Sequence, residues 1–226
     1  MNKTFNPARS LYLLVRNEIM ARGGLQPRGD YRWSKGQKVF RPGDEPSLKV
    51  PNLVGSFNEV LRCFWDHHGL GSRSLLVSES VRTSDVMHRH YPETEFLTCD
   101  LFSELMGEQQ ADRPHFVWDV CTQPPRDLIP SSFDSVVSHA LLEHVIAPTT
   151  AIKNFLMLLR AGGKLYFMTH TPSFHKHQYP RDYVRFHHDY FEDLPNYLMK
   201  EYCISSELTE LYSAKGVICG VYLRNP

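Results

Sequence analysis

Closely spaced cysteine pairs are missing from this sequence. Its five cysteines, Cys63, Cys99, Cys121, Cys203 and Cys219, are dispersed and odd in number, which excludes a zinc ribbon or a disulfide framework and points to a reducing compartment. Net charge is missing too, since 25 Lys and Arg balance 25 Asp and Glu over 226 residues. A chain without a basic excess has no field to draw in a nucleic-acid backbone or an anionic membrane surface, so the expected partner is a small-molecule substrate and not nucleic acid. No apolar run is long enough to cross a bilayer, and the apolar core near the N-terminus, Leu11 to Val15, is too short for a secretory segment. The expectation is a soluble, cytoplasmic protein without membrane contact. Repeats, charge blocks and low-complexity tracts are lacking, and nothing specifies an oligomeric state.

What the sequence does have is alternation. Its 42% hydrophobic content is enough for one well-buried core, expected over residues 52–226. Residues 1–51 read as an N-terminal helix, Leu11 to Ala21 stopped by Gly23-Gly24, and an irregular arm rich in Pro, Gly and charge. From Asn52 the pattern is a helix to His68, a turn at Gly69 and Gly71, and a buried strand at Leu75 to Val77. A helix over Ser84 to Tyr91 follows, then a strand at Glu95 to Cys99 ending on Asp100, and a short one at His115 to Trp118 ending on Asp119. Phe133 to His139 is the fourth strand, Pro148 to Arg160 the next helix, and Leu165 to His170 the fifth strand. Tyr190 to Leu198 reads as helix, and Tyr202 to Leu208 with Val217 to Leu223 as an antiparallel hairpin. Strands alternating with helices build a parallel sheet that places ligands at the carboxyl ends of its strands. Two of those ends are Ser138-His139 and His170-Thr171.

Five β–α alternations and a terminal hairpin, with FDSVVSHALLEHV, LRAGGKLYFMTHTP and the later HQYPRDYVRF, resemble the class I S-adenosylmethionine-dependent methyltransferases from about Leu53 to Leu223. The resemblance implies an α/β fold: a Rossmann-like, doubly wound, mostly parallel seven-stranded sheet with a C-terminal antiparallel hairpin. It implies S-adenosylmethionine as cofactor and methyl transfer to an O or N atom of a small or medium-sized molecule. It also implies a cofactor site, with Asp100 and the adjoining Leu101 at the ribose hydroxyls and Asp119 with the backbone of Val120 at the adenine amino group. Ser78, Glu79 and Ser80 would hold the methionine part, and Ser138 and His139 would border the methyl group. Independently, a ribose-binding acid falls about twenty residues beyond the first loop in dinucleotide-type sites, and Asp100 has that position relative to Ser78. The competing reading makes each Asp a helix cap or loop acid at a strand end.

The first loop departs from the family pattern. Methyltransferases of this class usually carry glycines there, because glycine lets the backbone approach a ligand and adopt unusual dihedrals; here it reads Ser78-Glu79-Ser80-Val81-Arg82. The departure motivates an alternative, a catalytically inactive methyltransferase-like binding or scaffold protein in which Arg82 or a neighbour fills the cofactor volume. A nicotinamide-dependent Rossmann enzyme is a third reading, but it needs a phosphate-cradling glycine turn and gives the hairpin no role.

Glu143-His144 resembles a Glu-x-x-Glu-His metal sequence of some methyltransferases, with Ala140 where the first Glu should stand. With His175 or His177 the pair could bind a divalent ion; the expectation is instead a structural role beneath the site, and no metal ligand is assigned. The segment after the fifth strand should lie over the methyl-transfer site, making His139 or His177 the candidate general base. Its bland counterpart has Asp182 and Arg185 paired internally while Tyr179, Tyr183 and Phe186 pack the loop onto the core.

Overall fold

Two apolar faces alternate along each central strand, and that alternation dictates the layering. The computed structural model describes residues 38–39, 59–101, 114–172, 174, 176, 181–214 and 217–226. In chain order these form β1 (Lys38–Val39), α1 (Glu59–His68), β2 (Arg73–Val77), α2 (Val81–His90), β3 (Glu95–Asp100), β4 (Phe116–Val117) and β5 (Phe133–His139). A single 3-10 turn (Leu142–His144) leads to α3 (Pro148–Leu158), β6 (Leu159–His170), α4 (His188–Tyr202), β7 (Ser206–Ala214) and β8 (Val217–Arg224).

Leu75 and Val77 of β2, Val136 of β5, Leu165 and Phe167 of β6 and Ile218 of β8 face one layer, with Phe155 of α3 and Phe191 of α4. The intervening Leu76, Val137, Tyr166, Met168 and Cys219 face the other, with Phe64 and Trp65 of α1 and Met87 of α2. Side chains alternate with period two along a strand, so a sheet apolar on both faces must be covered on both. No helix among the described residues is long and apolar enough to cross a membrane.

The strand order is β1-β7-β8-β6-β5-β2-β3-β4. Strands β2 to β6 pair in parallel, and β8 runs antiparallel to both β6 and β7. The seven strands β2–β8 thus make the expected mostly parallel sheet with its terminal hairpin, and the two-residue β1 adds a parallel edge on β7. From β2 the chain moves outward through β3 to β4, then returns to β5 on the opposite side of β2. Open α/β sheets bind ligands at such a reversal, beyond the carboxyl ends of the strands.

Several boundaries shift, most of all at β6 and at the first tail strand. Strand β6 begins at Leu159, not Leu165, because α3 stops where Leu159 turns extended at ψ 140, and Gly162, at φ 77, carries the chain onward within the strand. The first tail strand begins at Ser206, not Tyr202. Helix α4 runs on through Tyr202 and ends on Cys203 at φ 56 and ψ 32, a left-handed stop that glycine more often supplies. The helix expected over Leu11 to Ala21 lies outside the described residues, as does most of the arm.

The amino end of the β2/β5 pair is tied by Asp134. Its Oδ2 accepts the Ser72 N–H and hydroxyl at 2.7 Å and the Arg73 N–H at 2.9 Å, and Arg160 pairs with Oδ1. Burial pushes the Asp134 pKa up, but hydrogen bonds from Ser72, Arg160 and Arg73 outweigh it and hold the carboxyl at about 2. Gly71 packs against this side chain at φ 78, and an added Cβ would lie 2.2 Å from the Asp134 Cβ. Gly71→Ala is expected to destabilise the fold by about 2–4 kcal/mol through overpacking and left-handed strain, read as a lower urea midpoint with unchanged m-value.

Candidate functional site

Strand β2 ends at Val77, and Ser78 then takes a left-handed conformation at φ 63. That backbone region usually calls for glycine. The Ser78 N–H donates to the Cys99 carbonyl at 2.7 Å, so the turn is fastened to the end of β3. A serine here does geometrically what the missing glycine would do, at a strain cost that bonded context must offset. Ser80 stands at the N-cap of α2 without a side-chain capping bond, and Arg82, in the first turn, is solvent-exposed.

Glu79 is 7% exposed and accepts the Thr83 hydroxyl at 2.8 Å. Burial raises its pKa, the Thr83 bond pulls it back, and the charge of Asp100 adds to the rise, giving about 8. At neutral pH it is therefore mostly an uncharged acid that ionises when a cation compensates it. Asp100 is half-buried at the end of β3, with Leu101 exposed beside it.

Across the strand-order reversal, β5 ends in Ser138 and His139. Ser138 is fully buried, and its Oγ has no hydrogen-bond partner among the described residues, an exception that calls for a ligand, water or strain. His139 is half-buried. Burial lowers its pKa, Glu143 opposes, and His170 lowers it further, to about 4. The imidazole is thus neutral at physiological pH and able to accept a proton. Ala140 follows at φ 49, its N–H donating to the Met168 carbonyl at 2.9 Å.

Glu143, in the 3-10 turn, is fully buried. Its Oε1 lies 2.5 Å from His170 Nδ1, its Oε2 accepts the Thr169 hydroxyl at 2.7 Å, and its backbone carbonyl accepts the N–H groups of Tyr183 and Val184 at 2.8 and 3.3 Å. Burial would raise its pKa, but His170, His144 and Thr169 outweigh it and hold the carboxyl at about 2. His144 Nδ1 donates to the Arg181 carbonyl at 2.7 Å. The Glu143-His144 pair therefore clamps the segment after β6 onto the ends of β5 and β6. In that segment Arg185 pairs with Asp182, Phe186 is buried, and Tyr183 is 48% exposed. His175, His177 and Tyr179 lie outside the described residues.

Beyond β4, Asp119 Oδ1 accepts the Cys121 N–H at 2.9 Å, an Asx turn. Val120 is buried, and its carbonyl takes one of two bonds from the Asn154 amide, at 2.8 Å, while Thr122 takes the other at 2.7 Å. Asn154 was not singled out from the sequence; the signal was a lone amide on the apolar face of α3, which had to find partners once buried. Nor was the coupling of Thr169 and His170 to Glu143, whose only sign is two polar residues closing an otherwise apolar strand.

Residues 80–167 match the family model described as Methyltransferase domain. Among solved structures, a candidate zinc-dependent alcohol dehydrogenase from Rhodobacter sphaeroides is 11% identical with a TM-score of 0.52, covering 73% of this chain and 88% of that one. The 1,6-didemethyltoxoflavin-N1-methyltransferase of Burkholderia thailandensis, solved with 1,6-didemethyltoxoflavin and S-adenosylhomocysteine, is 14% identical with a TM-score of 0.47, covering 74% and 76%. The CurJ carbon methyltransferase is 13% identical with a TM-score of 0.47; the match covers 69% of this chain and 49% of that one, about half its length. At 11% identity, the match with a TM-score of 0.52 is a likeness of fold alone. No curated protein matches the chain in sequence.

Proposed function

We propose, from the premise that this chain resembles the class I methyltransferases in fold and in the domain match over residues 80–167, that it is an S-adenosylmethionine-dependent methyltransferase. Its acceptor is an O or N atom of a small or medium-sized molecule, and its place of action the cytoplasm. The observation that carries the reading is the pair of strand ends flanking the reversal: Ser78 and Glu79 beside Asp100 on one side, Ser138 and His139 on the other. The residues suit the cofactor. Ser138 has a buried hydroxyl without a partner, and Glu79 a buried carboxyl that ionises only against a cation.

The cofactor, when bound, supplies a methyl group on a positively charged sulfonium. Asp100, with Leu101 beside it, accepts from the ribose hydroxyls, and Glu79 meets the ammonium of the methionine part. Ser78 and Ser80 keep the first loop small enough for close approach, and Asp119 with the Val120 backbone faces the adenine amino group. Ser138 orients the ligand near the reacting centre. His139, uncharged above about pH 4, accepts the proton of an O–H or N–H nucleophile at an imidazole nitrogen; His177 is a second candidate for that role. Methyl transfer asks for little beyond such alignment and deprotonation.

A second reading, an inactive methyltransferase-like binding protein, is favoured by the glycine-free loop and by the engagement of Asp119 Oδ1 in its own turn. The exposure of Arg82 speaks against its filling the cofactor volume. Calorimetric titration with S-adenosylmethionine and S-adenosylhomocysteine separates the two. Micromolar binding, weakened at least tenfold by Asp100→Ala and by Asp119→Ala, is expected. A folded protein silent at millimolar ligand would overturn the enzyme and leave the binding module.

A further inference from the structure

Far from the strand ends, α1 delivers two successive histidines, His67 and His68, to a carboxylate of β7. His68 Nε2 lies 3.2 Å from Glu210 Oε1, and one ligand atom from each of His67, His68 and Glu210 falls within 4.8 Å of the others. Glu210 is only 3% exposed, and its second oxygen, Oε2, has no hydrogen-bond partner among the described residues. Two residues along β7, Tyr212 belongs to the apolar layer that includes Leu61, Phe64 and Trp65 of α1, so strand periodicity sets Glu210 on the face that α1 covers. A half-satisfied carboxylate at the edge of an apolar layer is costly unless a cation completes it. The last turn of a helix favours positive charge, and His67 and His68 are that turn of α1.

We propose that His67, His68 and Glu210 form a binding site for a divalent cation of the zinc class, with water completing a tetrahedron and the ion tying α1 to β7. Two imidazoles and a carboxylate suit zinc and its neighbours, not magnesium or calcium, which demand oxygen. Zinc–ligand bonds of about 2.0–2.1 Å in a tetrahedron put ligand atoms roughly 3.4 Å apart. The His68–Glu210 distance of 3.2 Å already meets this, and the exposed His67 ring closes the rest by rotating. His68 Nε2–H donates to Glu210 in the metal-free protein; on binding, the ring proton resides on Nδ1 and Nε2 offers its lone pair. Three strands, β8, β6 and β5, lie between β7 and β2, and the methyl-transfer chemistry does not use this site.

The test is calorimetric titration of the chelator-treated full chain with Zn2+, paired with Co2+ absorption spectroscopy. One saturable site per chain is expected, with the intense visible band of four-coordinate Co2+. Glu210→Gln and the surface variant His67→Ala should each weaken it at least tenfold, and His188→Ala, at a separate His188–Asp189–Glu192 cluster, should leave it unchanged. His67 is exposed, so its alanine variant remains folded and keeps the result interpretable if Glu210→Gln does not. Absence of saturable binding, binding untouched by His67→Ala, or loss of binding in His188→Ala instead would each overturn the proposal.

Discussion

Alanine in place of Glu143 is expected to lower the unfolding free energy by about 3–5 kcal/mol, the cost of removing one member of a buried carboxylate–imidazole pair. His170 and the Thr169 hydroxyl, both fully buried, would lose the carboxylate they converge on. The segment from Arg181 to Phe186 would loosen with the turn whose carbonyl it bonds. Glu143→Gln keeps an acceptor for Thr169 and should retain more than half of the loss. Acid titration gives a second readout. The folded pKa of Glu143, about 2 against an ordinary 4.5, makes its contribution present above the unfolded value and lost as pH falls through the folded one. That is worth about 3 kcal/mol at about 1.36 kcal/mol per pH unit. His139, lowered from 6.5 to about 4, adds a loss that begins earlier, because the unfolded chain takes up its proton between those values and the folded one does not. Wild-type stability should therefore decline from about pH 6.5 downward, and Glu143→Ala should flatten only the part below about 4.5. Urea midpoints across that range decide it; an undiminished low-pH slope in Glu143→Ala would sink the assignment.

Glu79→Gln should do the reverse, raising stability above pH 8 by about 5 kcal/mol. The folded pKa of Glu79, about 8, lies above its ordinary 4.5. The folded state therefore favours the proton, and stability is lost as pH rises from the lower value to the higher. Glutamine keeps the shape and the Thr83 hydrogen bond without that loss. On the methyltransferase reading, cofactor binding runs through the same titration. If the ammonium of the methionine part binds ionised Glu79, wild-type affinity rises about fivefold between pH 7 and 8, since the carboxylate fraction rises by that factor around a pKa of about 8. Glu79→Gln should bind more weakly and lose this pH dependence. A variant as pH-sensitive as the wild type would move the ammonium elsewhere, to Asp100 or beyond.

Strand β5 was readable to its exact limits, Phe133 to His139, because an apolar strand bounded by Pro130 and a turn leaves little freedom. Asp100 and His170 were readable as strand ends for the same reason. What stayed hidden depends on partners distant in the chain. The left-handed Ser78 is held by the carbonyl of Cys99 on the next strand, and no local preference of serine announces that. Glu143 carries its charge in the core only because His170, 27 positions later, meets it. Helix α4 overran its expected end because Met199 to Tyr202 are ordinary helix-compatible residues without a local stop, and Cys203 ended it by a conformation its residue type seldom adopts. Glycine is the usual sign of a cofactor loop, yet the position tolerates serine once the backbone is pinned.

While this chain is being synthesised, β6 leaves the ribosome well before β8, the strand that lies between β6 and β7. Until Val217 to Arg224 arrives, the outer edge of β6 is an open row of backbone N–H and C=O groups, flanked by Leu165 to Met168, all of them fully buried in the finished sheet. Such an edge is the template onto which strands of other chains add. Nascent molecules therefore pass through a sticky interval in which chaperone shielding matters, and products cut short before Val217 should end in aggregates, not as weakly active monomers.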